Sequence, residues 1–240
     1  MKIRIKFRKY GVMKFIGHLD IMRYFQKAMR RADIDICYSE GFSPHQIMSF
    51  AAPLGVGITS DGEYLDIEVH STRSSEESIA ALNGTMVEGL EVTGYVKLPD
   101  DAKTAMSIVT AAEYELSFKD GYDACADISE FQAGLLEFFT KPETIPLVKQ
   151  TKKGERVIDL KQLVYHFEVI ENAGKPAFLL TVSTGSIDNL KPELVLEALF
   201  GAMGFVYNAD AIQIHRKDVF ASAGDNGGFV PLGEMGADIV

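Results

Sequence analysis

The hydrophobic period of this chain switches between two and 3.6 in a fixed order, and the order occurs twice. Lys2-Ile3-Arg4-Ile5-Lys6-Phe7-Arg8 alternates strictly, with Ile3, Ile5 and Phe7 on one face and the charges on the other, the mark of a half-buried strand. From His18 to Ala32 the apolar residues Leu19, Met22, Phe25, Met29 and Ala32 recur at helical spacing. Gly17 stands as the N-cap of that helix and Asp20 lies in its first turn, where a negative charge suits the helix dipole. Strand pattern returns over 47–54 and 63–69, the latter with Leu65, Ile67 and Val69 inward and Tyr64, Asp66 and Glu68 outward. Ser74 and Glu77 have capping-box spacing and open a second helix, and Leu90, Val92 and Val96 mark a further strand. The sum is β-α-β-β-α-β, the split pattern of a ferredoxin-like unit.

The second half repeats the grammar at a shift of roughly 110 residues. Tyr114, Leu116 and Phe118 alternate; Asp127 and Glu130 cap a helix carrying Ile128, Phe131, Leu135 and Phe139 on one face. A strand over 145–149 leads into the polar loop 151–156. Hairpin strands follow over 165–170 and 178–182, joined by Asn172-Ala173-Gly174-Lys175. Pro192 then starts a helix, and a last strand runs from Ala211 to His215. The predicted fold is therefore α+β, two tandem ferredoxin-like domains with antiparallel sheets and helices on one face. Their predicted extents are 1–98 and 112–220, with 99–111 as linker and 221–240 as a Gly-rich disordered tail.

Charge is distributed unevenly. Residues 1–50 carry +6, while the chain as a whole carries −10, which leaves −16 for the rest. Arg23, Lys27, Arg30 and Arg31 on helix 1 and Arg4, Lys6 and Arg8 on strand 1 make a basic face suited to a polyanion or an acidic partner. Tyr38 and Phe42 stand close by in sequence, as aromatic residues do on platforms that stack the bases of single-stranded RNA. His18, at the start of a helix, is biased toward its neutral form by the positive end of the dipole, the state a general base needs. His18, Asp20 and His45 are thus the candidate acid–base residues. The alternative for both histidines is structural, shielding a helix end or fixing a loop.

The two cysteines, Cys37 and Cys125, are too few for a disulfide framework and too far apart for a metal knuckle, which predicts a reducing cytoplasm and two small buried thiols. No phosphate-binding glycine loop, dinucleotide fingerprint or nucleophile elbow is present, and dispersed histidines predict no metal and no cofactor. No apolar run reaches membrane-spanning length, so no membrane partner is expected.

Several segments in order, Phe15-Ile16-Gly17-His18-Leu19-Asp20-Ile21-Met22-Arg23, Arg30-Arg31-Ala32, Glu40-Gly41-Phe42-Ser43-Pro44-His45, Pro53-Leu54 and Gly62-Glu63-Tyr64-Leu65-Asp66-Ile67-Glu68, resemble an uncharacterised family found beside, or fused to, radical SAM proteins. Ala112-Glu113-Tyr114, Asp159-Leu160 and Asn189-Leu190-Lys191-Pro192 continue the resemblance. It implies a radical SAM protein as partner, and two cysteines cannot build that partner's three-cysteine cluster motif. The expected function is an accessory or substrate-presenting protein with RNA as the substrate class. The alternatives are an RNA-processing enzyme using His18 and His45, or a pure protein-interaction module.

Overall fold

The computed structural model describes residues 1–151, 154–185, 188–224 and 227–240. The chain divides into two compact units, Met1–Ala111 with Arg216–Val240, and Ala112–His215. Each is mixed α and β, and every strand pair of known register is antiparallel. Among the described residues no helix is long and apolar enough to cross a membrane.

The first unit contains β1 (Lys2–Lys9), α1 (His18–Arg31), β2 (Met48–Phe50), β3 (Thr59–Glu68), α2 (Ser75–Asn83), β4 (Leu90–Lys97) and α3 (Ala105–Ile108). Strand β1 lies between β4 and β3, and β2 pairs with β3 from its other side, giving the order 4-1-3-2. The part of β10 (Ile212–Ser222) from Arg216 onward adds to β3. Gly62 permits that approach, since a Cβ there would stand 2.5 Å from the Asp218 Cα. The capping box of Ser74 and Glu77 forms as predicted, with Ser74 Oγ accepting from the Glu77 amide. Ile3, Ile5, Phe7, Leu65, Ile67 and Val92 turn one sheet face toward α1 and α2.

The buried stripe of α1 is Ile21, Phe25, Ala28 and Met29, so Leu19, predicted inward, is exposed. Phe25 packs against Phe7, their rings tilted by 56° with centroids 4.7 Å apart, and this contact fixes the rotation of the helix.

The segment 221–240, predicted to be disordered, is ordered where it is described. β11 (Phe229–Pro231) pairs with the end of β10, Ala237 exchanges backbone hydrogen bonds with Lys97, and Ile239 exchanges two with Ser75. Its anchor is Leu232, fully buried, beneath which Arg4 donates to the Leu232 carbonyl at 3.2 Å. One of the glycines that read as disorder lets the segment lie close to the sheet: a Cβ on Gly236 would stand 2.6 Å from Val96. Because this segment covers the outer sheet face, β3 is buried on both sides, and Tyr64 and Asp66, predicted outward, are buried. The predicted linker 99–111 contains α3 and the first residues of β5 (Val109–Phe118); the buried Ala105 amide donates to Asp66 at 2.6 Å.

The second unit contains most of β5, then α4 (Ile128–Thr140), β6 (Pro146–Thr151), β7 (Gly154–Asp159), α5 (Leu160–Leu163), β8 (Val164–Asn172), β9 (Lys175–Ser183) and α6 (Pro192–Ala202). Strand β9 lies between β5 and β8, and the first residues of β10 follow β5. β6 and β7 form a separate hairpin; the Lys152 and Lys153 part of the predicted polar loop lies outside the described residues. Ala173 and Gly174 both take positive φ, 51° and 76°, which is the two-residue turn expected between β8 and β9. The core is aromatic: Phe131 of α4 meets Phe178 of β9 at 5.0 Å and Phe200 of α6 at 5.4 Å. Cys125 is exposed in the connection between β5 and α4, and Cys37 is half-buried, so neither is the buried thiol that was expected.

Candidate functional site on the first helix

Most of the strand-1 charges that were predicted to form a binding face are consumed inside the first unit. Arg4, 1% exposed, makes a two-point ion pair with Asp66 at 2.8 and 3.0 Å. Lys6 pairs with Asp218 at 2.7 Å, and Asp218 also accepts from the Tyr64 hydroxyl. Arg8 is shared between Asp61 at 2.7 Å and Glu91 at 3.3 Å, which raises its pKa through the hydrogen bond and charge of Asp61 first. The assignment of Arg4, Lys6 and Arg8 to an open RNA or partner surface is therefore corrected. The reason is charge pairing across strands: the acids of β3, β4 and β10 stand opposite the bases of β1.

Helix α1 is different. Arg23 pairs with Asp20 of the preceding turn at 3.2 Å, and Arg31 donates to the Thr85 carbonyl at 3.2 Å while lying over the Tyr24 ring. Lys27 and Arg30 are exposed, and neither has an ion-pair partner among the described residues. A short hairpin-like segment lies beside this face: Ser39 and Ile47 donate backbone bonds to His45 and Cys37. Gln46 fastens it, its amide donating to the Gln26 carbonyl of α1 at 3.3 Å and to the Tyr38 hydroxyl at 3.4 Å. Gln26 lies three residues from Arg23 and four from Arg30, so the three share one face of the helix. The structure thus brings Tyr38 beside the basic helix face, with Phe42 fully exposed at the tip of the same segment.

His18 begins α1 and His45 closes the loop, but no hydrogen bond joins them. The His18 ring meets Phe50 edge-on at 5.1 Å, whereas His45 Nδ1 is bonded to Ser39 Oγ at 2.8 Å. Asp20, the third candidate, is exposed and turned to Arg23. Burial holds the His18 pKa below its ordinary value; Glu63 opposes that shift and Lys9 reinforces it.

Those two neighbours belong to a cluster that the sequence reading missed. Lys9 is 2% exposed and donates to the Ile16 carbonyl at 2.7 Å. Burial lowers its pKa, with Glu63 opposing and Arg216 adding to the shift. Glu63 and Arg216 form a buried ion pair, and Arg216 also donates to the Ala52 carbonyl at 2.7 Å. The signal was parity. Lys9 continues the inward set Ile3, Ile5, Phe7; Glu63 continues Leu65, Ile67; and Arg216 continues Ile212, Ile214. Three charges sit where alternation asks for apolar residues, on adjacent strands. Among the described residues no group of three His, Cys, Asp or Glu side chains stands together as metal ligands.

Residues 2–192 match the family described as uncharacterized protein conserved in bacteria (DUF2344). The chain belongs to this family. The matched span holds His18, Lys9, Glu63 and all of α1 with its companion loop, and it ends before Arg216. No curated protein matches the sequence. In three dimensions the chain is similar to a chain of the "Crystal Structure of a Cbf5-Nop10-Gar1 Complex", with 10% identity over 90% of this chain and 48% of that one, and a TM-score of 0.48. The chain thus spans about half the length of that protein.

Proposed function

We propose that the chain is a cytoplasmic accessory protein that presents RNA to a radical SAM partner through the outer face of α1. The observation that carries the reading is cations and aromatic rings on one surface: Lys27 and Arg30 have no acidic partner among the described residues, Gln46 holds Tyr38 beside the helix, and Phe42 is fully exposed on the same segment. Phosphates supply the countercharge for the cations and bases supply the stacking surface for the rings. In a chain of net charge −10, α1 keeps a cluster of exposed cations where Arg4, Lys6 and Arg8 are neutralised. The radical SAM partner rests on the sequence resemblance carried by the Gly17-His18-Leu19-Asp20 and Gly41-Phe42-Ser43-Pro44-His45 segments. The strand order 4-1-3-2 of the first unit, and the corresponding order β10-β5-β9-β8, support reading both units as ferredoxin-like, with the β6–β7 hairpin inserted in the second.

One observation favours a second reading. Burial lowers the His18 pKa and so biases the ring at the start of α1 toward the neutral form that a general base requires, which makes an RNA-processing enzyme the alternative. Incubating the protein with single-stranded RNA, alone and with the radical SAM partner, separates the two. Retained binding without cleavage by wild type supports presentation; cleavage abolished in His18→Ala with binding intact supports the enzyme. Absence of RNA binding under both conditions removes both readings.

A further inference from the structure

Strand β8 ends the strand order of the second unit, with β9 on one side and no strand on the other among the described residues. In an antiparallel pair every second residue of such a strand directs its amide and carbonyl away from the neighbour, so β8 from His166 to Asn172 offers a row of donors and acceptors on the side away from β9. Beside that edge runs a groove of about 450 Å³ between β8 and α4, walled by Leu135, Leu136, Phe139, Phe167 and Val169. An edge and an apolar groove along it together fit one shape of ligand: an extended segment that adds a strand and drops alternate side chains into the groove.

The charges choose its composition. β8 carries Glu168 and Glu171 and has no lysine, arginine or proline; His166, 3.5 Å from Glu168, is its one basic group. A second copy of this chain pairing edge to edge would bring the glutamates of both strands into one short ladder, and like charges across strands are destabilising. We propose that β8 and the α4 groove take an extended segment of a partner protein in which apolar residues alternate with lysine or arginine. This site is separate from the α1 surface and stands whether or not that surface binds RNA.

The test uses the full chain and a blocked nine-residue peptide of alternating valine and lysine, with a second peptide carrying glutamate in place of lysine. The lysine peptide is expected to bind saturably and to slow amide exchange across 164–172. Leu136→Ser and Glu168→Lys change side chains that are 66% and 57% exposed, so the fold, checked by circular dichroism, stays intact. Each should weaken the lysine peptide by about fivefold to tenfold, and Glu168→Lys should bind the glutamate peptide better than wild type does. No binding, exchange protection elsewhere on the chain, equal affinity of wild type for both peptides, or a dimer formed through β8 in the absence of peptide would each overturn the proposal.

Discussion

Glu63 and Arg216 lie 153 residues apart in the chain and form a buried ion pair, with Arg216 Nε 2.8 Å from Glu63 Oε1 and side chains 6% and 3% exposed. The pair joins β3 to the segment of β10 that belongs to the first unit, at positions where alternation calls for apolar residues. Removing one partner strands a buried charge, so Glu63→Gln is expected to lose about 3–5 kcal/mol of unfolding free energy. The double variant Glu63→Leu with Arg216→Met should recover most of that loss, because an apolar pair of similar volume has no desolvation cost to meet. Urea titration of the single and double variants measures both; a Glu63→Gln protein as stable as wild type contradicts the account.

Leu232 tests the ordered C-terminal segment. It is fully buried and sits where Arg4 reaches the backbone of that segment, so Leu232→Ala should cost about 2–5 kcal/mol. A tail without structure would give no change in the thermal midpoint.

His18 should titrate below 6.5, the ordinary value, because burial disfavours its charged form. The unfolded chain then binds a proton on this residue at pH values where the folded chain does not. Stability is therefore full above the unfolded pKa and falls as pH drops below about 6.5, levelling once the folded pKa is passed. Lys9→Met removes a nearby positive charge and should move the midpoint upward. An NMR titration of the His18 ring in both proteins reads the shift, and a midpoint at or above the unfolded value contradicts the assignment.

The element order was legible because each element announces itself locally. The Ser74–Glu77 and Asp127–Glu130 boxes, Pro192 and the Ala173–Gly174 turn all work within a few residues of themselves. What was not legible depends on distant partners. Arg4 reads as an outward strand charge until Asp66 and the Leu232 carbonyl are placed against it, and Gly233 and Gly236 read as disorder until Tyr64 of β3 and Val96 of β4 are placed against them. The candidate site divides the same way. Arg23, Lys27, Arg30 and Arg31 are on the surface because helical period alone puts them there, whereas the nearness of Tyr38 depends on the Gln46–Gln26 bond. Lys9, Glu63 and Arg216 were visible as parity errors, but only comparison of three strands shows that the errors meet.

The salt dependence of RNA binding tests the central claim most directly. If α1 tracks phosphates, the log–log slope of affinity against salt for a single-stranded RNA should flatten by up to ~0.7 for each cation lost, and Lys27, Arg30 and Arg31 replaced together by alanine should lower both slope and affinity. Arg8→Ala, whose guanidinium is already shared by Asp61 and Glu91, should leave the slope unchanged. Wild-type binding that is insensitive to salt, or a triple variant with the wild-type slope, would contradict the account.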